Sequence, residues 1–189
     1  MSTIAPDVAA LQSLGEQTIQ LANAWAGARD PLTRGLKEWI KPVVAGDRVA
    51  AVRAALAACE LVAARYPTPA PAGLPGRSYI DGMLAVIRRW LDDPSEKQAS
   101  LVRSTLDVSR DAHAWQRERA GAPAWILEAV DHASLAIWAG HESSYIMPMG
   151  FATSTARACT CVLHAMLEDG VAEADAVAAV TKVVLTARG

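Results

Sequence analysis

A chain of 189 residues with a formal net charge of -2 is long enough to bury a core without disulfides or metals, and its three cysteines are an odd number. Hydrophobic residues make up 52% of it, many of them alanine, with a single phenylalanine, which favours helices packed through small side chains over sheets. No basic cluster appears, so a nucleic-acid backbone is excluded as the main partner; no apolar run approaches the ~18 residues of a membrane span.

Pro6 and Asp7 open the first predicted helix, whose apolar stripe runs through Leu11, Leu14, Leu21 and Trp25 to a stop at Gly27. Asp30 followed by Pro31 marks the next start, an acceptor for first-turn amides ahead of a residue with a preset φ. That helix carries Leu32, Leu36, Trp39 and Ile40 and is expected to stop at Pro42. After Gly46, Asp47 caps a third helix with Val52, Leu56, Cys59 and Ala63 on one face, ending near Tyr66. The segment PTPAPAGLPG, residues 67–76, holds four prolines and two glycines and reads as a loop inside a single domain spanning 1–189. Ser78 and Asp81 form a capping-box-like start for a fourth helix, with Ile80, Leu84, Ile87 and Leu91 inward and Trp90 at the edge of that face.

Asp93, Pro94, Ser95 and Glu96 start a long fifth helix whose dry face is predicted at Leu101, Thr105, Val108, Ala112 and Trp115. The stretch from Ala124 to Ala139 is apolar on almost every face and is expected to be the central helix, with Glu128, Asp131 and His132 its only charged or titratable residues. Two further helices follow, one from Phe151 to Leu167 closed by Asp169 and Gly170, the other carrying Val177, Val180, Thr181 and Val184. The predicted fold class is therefore all-α, a single-domain bundle of about eight helices, in which stacked antiparallel pairs are one arrangement.

Chemical motifs are sparse. Cys59, Cys159 and Cys161 sit in apolar helical sequence, and two residues apart on a helix Cys159 and Cys161 point to different sides, so buried free thiols are expected, as suits a reducing cytoplasm. Glu128 with His132, and His164 with Glu168, are four apart and share a helix face, but the repeated Glu-x-x-His signature of a di-metal bundle is missing. Neither a metal site nor a cofactor nor a catalytic residue is predicted. His141 to Gly150, HESSYIMPMG, is the most mixed stretch and offers a binding surface through His141, Glu142 and Tyr145. From Glu118 onward four basic residues face eight acidic ones, so Asp169 and Glu173 are expected to extend that surface as an acidic face for a protein partner. Two other readings stay open: a small-molecule or metal-dependent enzyme with His132, His141 and Glu142 in its pocket, and an assembly subunit packing through Ala51, Ala54, Ala55 and Ala58.

Asp47-Arg48 enters an alanine-rich helix containing ALAACELVAARYP, a proline-rich break follows, and then come YIDGMLAVIRRWLDDP and another alanine-bearing helix. Over residues 47–165 this order resembles the all-helical immunity proteins encoded beside bacterial polymorphic toxins. The resemblance implies a small cytosolic protein that binds a toxin domain and blocks it, with no chemistry of its own.

Overall fold

The computed structural model describes residues 5–21, 30–107, 121–138 and 150–188, and every regular element among them is an α-helix. The eight helices are α1 (Val8–Leu21), α2 (Pro31–Val44), α3 (Arg48–Ala63), α4 (Arg77–Asp92), α5 (Glu96–Asp107), α6 (Ala122–Trp138), α7 (Phe151–Glu168) and α8 (Glu173–Arg188). None is long and apolar enough to cross a membrane.

Carboxylates start three of them. Asp7 accepts from the Ala10 amide at 2.8 Å, Asp30 from Thr33 at 2.9 Å and Asp47 from Ala50 at 3.0 Å, each satisfying a first-turn donor that has no partner within its helix. At the other end of the chain α7 stops at Gly170, which takes φ +80°. Its amide reaches Leu167 at 3.0 Å and the next, of Val171, reaches Met166 at 3.0 Å, so two orphan carbonyls are satisfied at once.

Several boundaries and faces differ from expectation. α2 runs past Pro42 to Val44, because a proline in the last turn forfeits one backbone bond, while burial of Val44 to 2% exposure holds that turn against the core. α4 begins at Arg77 behind Gly76 with no side-chain cap; Asp81 is engaged one turn on, by Arg77 Nε at 3.0 Å. In α5 the cap is Ser95, whose hydroxyl accepts from the Gln98 amide at 3.4 Å, and its inward residues are Ala99 and Val102. Leu101, expected inside, is 40% exposed; Val108, Ala112 and Trp115 lie outside the described residues. Trp90 is buried in the core rather than at its edge, with the Arg48 guanidinium 5.5 Å above its ring.

One apolar core extends from Leu11 of α1 to Ala187 of α8 and includes residues on both sides of the 67–76 loop. The Tyr66 hydroxyl donates to the Pro75 carbonyl at 2.6 Å across that loop, and Leu74 turns inward beside it. Three helices make the interior. α6, expected at the centre, packs on α3, α4, α5 and α7, and it shares the interior with α3 and with α7, which packs on α2, α3, α6 and α8. An apolar girth obliges a helix to be buried, but approach from many sides needs small side chains. α7 has them in Ser154, Thr155, Ala156, Ala158 and Cys159, all buried. The Thr155 hydroxyl is satisfied by the Ala51 carbonyl of α3 at 3.1 Å, so the two helices meet at backbone distance. Ala51, Ala54, Ala55 and Ala58 are each 0% exposed within the chain itself. Their small faces seat neighbouring helices of the same fold, and so are not free to pack between chains.

The tightest approach joins α1 to α2. Gly15 and Gly35 face each other across it: a methyl group on Gly15 would lie 1.8 Å from the Pro31 carbonyl oxygen, and one on Gly35 would lie 1.7 Å from that of Leu11. Only hydrogen at both positions permits this crossing.

Candidate functional site

α2 and α6 both lie against α7 and scarcely touch each other, so an outward stripe of α7 forms the floor between them. At the end where α2 and α6 begin and α7 finishes, a chain of polar groups crosses all three helices. The Thr33 hydroxyl donates to Asp30 Oδ2, and His164 Nε2 stands 3.2 Å from the same hydroxyl oxygen. With its one proton committed to Asp30, Thr33 can only accept from His164, which places the imidazole proton on Nε2. The ring stacks on Trp125, centroids 4.5 Å apart at 23°, and the Trp125 indole N–H donates to Glu168 at 2.7 Å. Gly121 closes the corner at φ +58°, where a methyl group would come within 2.9 Å of Glu168 Oε2.

Burial raises the Asp30 carboxyl, but the Thr33 hydroxyl, the Thr33 and Leu32 amides and His164 outweigh it and hold it below the usual value. Burial pushes His164 down from 6.5, with Asp30 and Glu168 opposing, so the ring is neutral at neutral pH. Since the unfolded chain takes up this proton first, the stability that the neutral ring supplies is complete above about 6.5 and is lost as pH falls through the lower folded value. Urea midpoints are expected to drop on acidification from neutrality, and His164→Gln, which keeps a donor for Thr33, is expected to flatten that part of the profile. An unaltered profile in His164→Gln would assign the acid sensitivity to another group.

Of the residues singled out in the sequence, His141, Glu142 and Tyr145 lie outside the described residues. His132 is half-buried on α6, one turn beyond Glu128, whose nearly buried carboxylate receives the Cys161 thiol at 3.8 Å; the neighbouring Asp131 accepts from the Tyr79 hydroxyl at 2.9 Å. Asp169 and Glu173 stand four residues apart at the α7–α8 turn, both exposed. Asp169 is already bridged to Arg65 at 3.3 Å, and Glu173 stands in the first turn of α8, where a carboxylate complements the helix dipole. His164 and Glu168 share a face as their spacing requires, Trp125 stacks on one and donates to the other, and no three metal-ligating side chains converge among the described residues. All three cysteines are buried and free. Burial pushes the Cys159 thiol up to about 12 and Cys59 well above the ordinary thiol value, so neither ionises to a nucleophile near neutrality.

A feature the sequence reading missed lies on the opposite side, where α4 meets α5. An open basin of about 430 Å³ is lined by Arg89, Lys97, Gln98, Ser100, Leu101 and Ser104. Leu101 is the one large hydrophobic side chain exposed among the described residues, and Arg89 and Lys97, which line the basin with it, form no ion pair among those residues. The helical period placed Leu101 inward because it aligned with Thr105 and Val108; the actual inward pair, Ala99 and Val102, is offset from it by two positions and by one. No protein family, curated protein or solved structure matches the chain.

Proposed function

We propose that the protein is a non-enzymatic helical binding protein, similar in role to the immunity proteins its sequence order resembles, and that it holds a protein partner at the α4–α5 basin. The observation that carries this reading is Leu101, an exposed apolar anchor set in a concavity and rimmed by Arg89 and Lys97. A buried anchor surrounded by polar groups that exclude water is how protein interfaces concentrate their binding energy. The rim calls for an acidic partner segment with an apolar side chain to cover Leu101. The acidic turn at Asp169 and Glu173 supports the reading less, since Asp169 already has its cation.

The expected result is that the full-length chain retains one dominant host protein in moderate salt, and that Leu101→Glu loses it. Arg89→Glu and Lys97→Glu are expected to slow association about tenfold or more, because rim charges act chiefly on the encounter rate. If that protein is a toxin domain, co-expression protects the host from it and the Leu101→Glu form does not. Equal retention by Leu101→Glu would remove the basin from the interface, and the absence of any retained protein would remove the reading itself.

A further inference from the structure

The side chains around the α4–α5 basin are set in a definite order. Lys97, Ser100, Leu101 and Ser104 stand at steps of three, four and seven from the first of them, so they share one outward stripe of α5. Arg89 joins them from the last turn of α4. Its neighbour Arg88 is bridged to Glu60 at 2.7 Å, but Arg89 and Lys97 form no side-chain hydrogen bond or ion pair among the described residues. Lys97 stands in the first turn of α5, where a positive charge opposes the helix dipole. The Gln98 side-chain amide makes no hydrogen bond among those residues either, and its oxygen is buried without a donor, so turning that amide toward an occupant breaks nothing. Among the described residues no carboxylate lines the basin.

Two unpaired cations, an amide without partners and an apolar side chain call for an occupant that brings a carboxylate, a backbone N–H and an apolar group close together. Lys97 and Leu101, four apart on one helix, have β-carbons about 6 Å apart. The last residue of a chain carries its side chain, its N–H and its carboxylate on one α-carbon. An acidic residue inside an extended segment shares a face only with the residue two further on, about 7 Å away, and the chain must run on at both ends. A space of about 430 Å³, taken as a cube, is about 7–8 Å on a side, narrower than the ~10 Å of a helix with its side chains. It suits a chain end. On the protein-binding reading of this basin, we propose that the part of the partner held there is its carboxyl-terminal residue, an apolar residue whose side chain covers Leu101 and whose free carboxylate pairs with Arg89 and Lys97. Its N–H donates to the Gln98 amide oxygen, and Ser100, whose hydroxyl makes no hydrogen bond among the described residues, adds a neutral donor to the carboxylate.

Heteronuclear NMR of the full chain, titrated with N-acetyl-alanyl-alanyl-leucine as the free acid and as the carboxamide at matched ionic strength, tests this. The free acid is expected to shift the backbone amides of Arg89 and of residues 97–104 saturably, and the carboxamide to bind about tenfold more weakly or worse. Arg89→Gln and Lys97→Gln are each expected to weaken the free acid about tenfold with much less effect on the carboxamide, and Leu101→Ser to weaken both. Lys182→Gln, at an exposed cation on α8, is expected to change neither. All four side chains are exposed, and the spectrum of each variant without peptide shows that it is folded. No saturable shift at the basin, equal binding of acid and carboxamide, or tighter binding of N-acetyl-alanyl-aspartyl-alanyl-leucyl-alanine carboxamide, whose acid is internal, overturns the terminal residue as occupant. The protein-binding reading fails separately. If the full chain retains a host protein that Leu101→Glu loses, yet deleting that protein's last residue leaves retention unchanged, the basin stands and the chain end falls; if no protein is retained, both fall.

Discussion

Gly35→Ala is expected to melt roughly 6–12 °C below the wild-type protein, a loss of about 3 kcal/mol. Two effects oppose each other here. Replacing a helical glycine by alanine gains up to about 1 kcal/mol of helix propensity. Against that, the new methyl group would lie 1.7 Å from the Leu11 carbonyl oxygen and 2.6 Å from its carbon, and backbone atoms cannot rotate aside as a side chain does. α1 must therefore lift from α2, opening the contact that buries Leu11, Leu32 and Leu36. The clash wins. Calorimetry decides the sign, and a Gly35→Ala protein melting at or above wild type would mean that the two helices separate without penalty. Gly15→Ala meets the Pro31 carbonyl in the same way and is expected to act in the same direction.

Leu163→Ala is expected to cost about 4 kcal/mol, in the upper half of the range for a buried leucine. The cost of such a truncation depends on how far the surroundings can close over the space. Leu163 is 0% exposed on the helix that α2, α3, α6 and α8 all grip, so movement toward the cavity from one side would open another contact. Leu101→Ala on α5 removes the same atoms from a side chain 40% exposed and is expected to change stability by no more than about 0.5 kcal/mol. Urea unfolding of the pair separates them. A cost below about 2 kcal/mol for Leu163→Ala would show that α7 is free to settle inward.

Helix count, the Asp30 and Asp47 starts and the Gly170 stop were legible in the sequence because each rests on chemistry confined to a few neighbouring residues. That α3 and α7 share the interior with α6 was not. The run around Ser154, Thr155 and Cys159 looks half polar, and within it the Thr155 hydroxyl is buried on a bond to the Ala51 carbonyl of another helix. The Gly15–Gly35 crossing was also hidden, since two isolated glycines in separate helices carry no sign of meeting. Leu101 was assigned inward because a helix rich in charge has more than one face that satisfies a three-four period. The chain Asp30–Thr33–His164–Trp125 draws on three helices, and no spacing along the sequence relates Thr33 to His164. His164 and Glu168 did stand out as a pair, but nothing local indicated that an indole would lie against them. His141, Glu142 and Tyr145, on which the sequence reading leaned for a binding surface, fall outside the described residues.

The bond from Tyr66 to Pro75 changes what joins α3 to α4. The thirteen residues between these helices would otherwise act as a tether whose length sets how far apart its ends wander. With a hydroxyl and a carbonyl fastened across its base, the segment becomes a closed ring hung on the surface, and α3 and α4 are positioned by the clasp instead of by the number of links. Chain added near Thr68 enlarges a ring that is already shut, at an entropic cost of only about 0.6 kcal/mol for each doubling of its length. Length there can drift while the geometry of both helices stays as it is, so long as the tyrosine at one end and Leu74 beside the other keep their places.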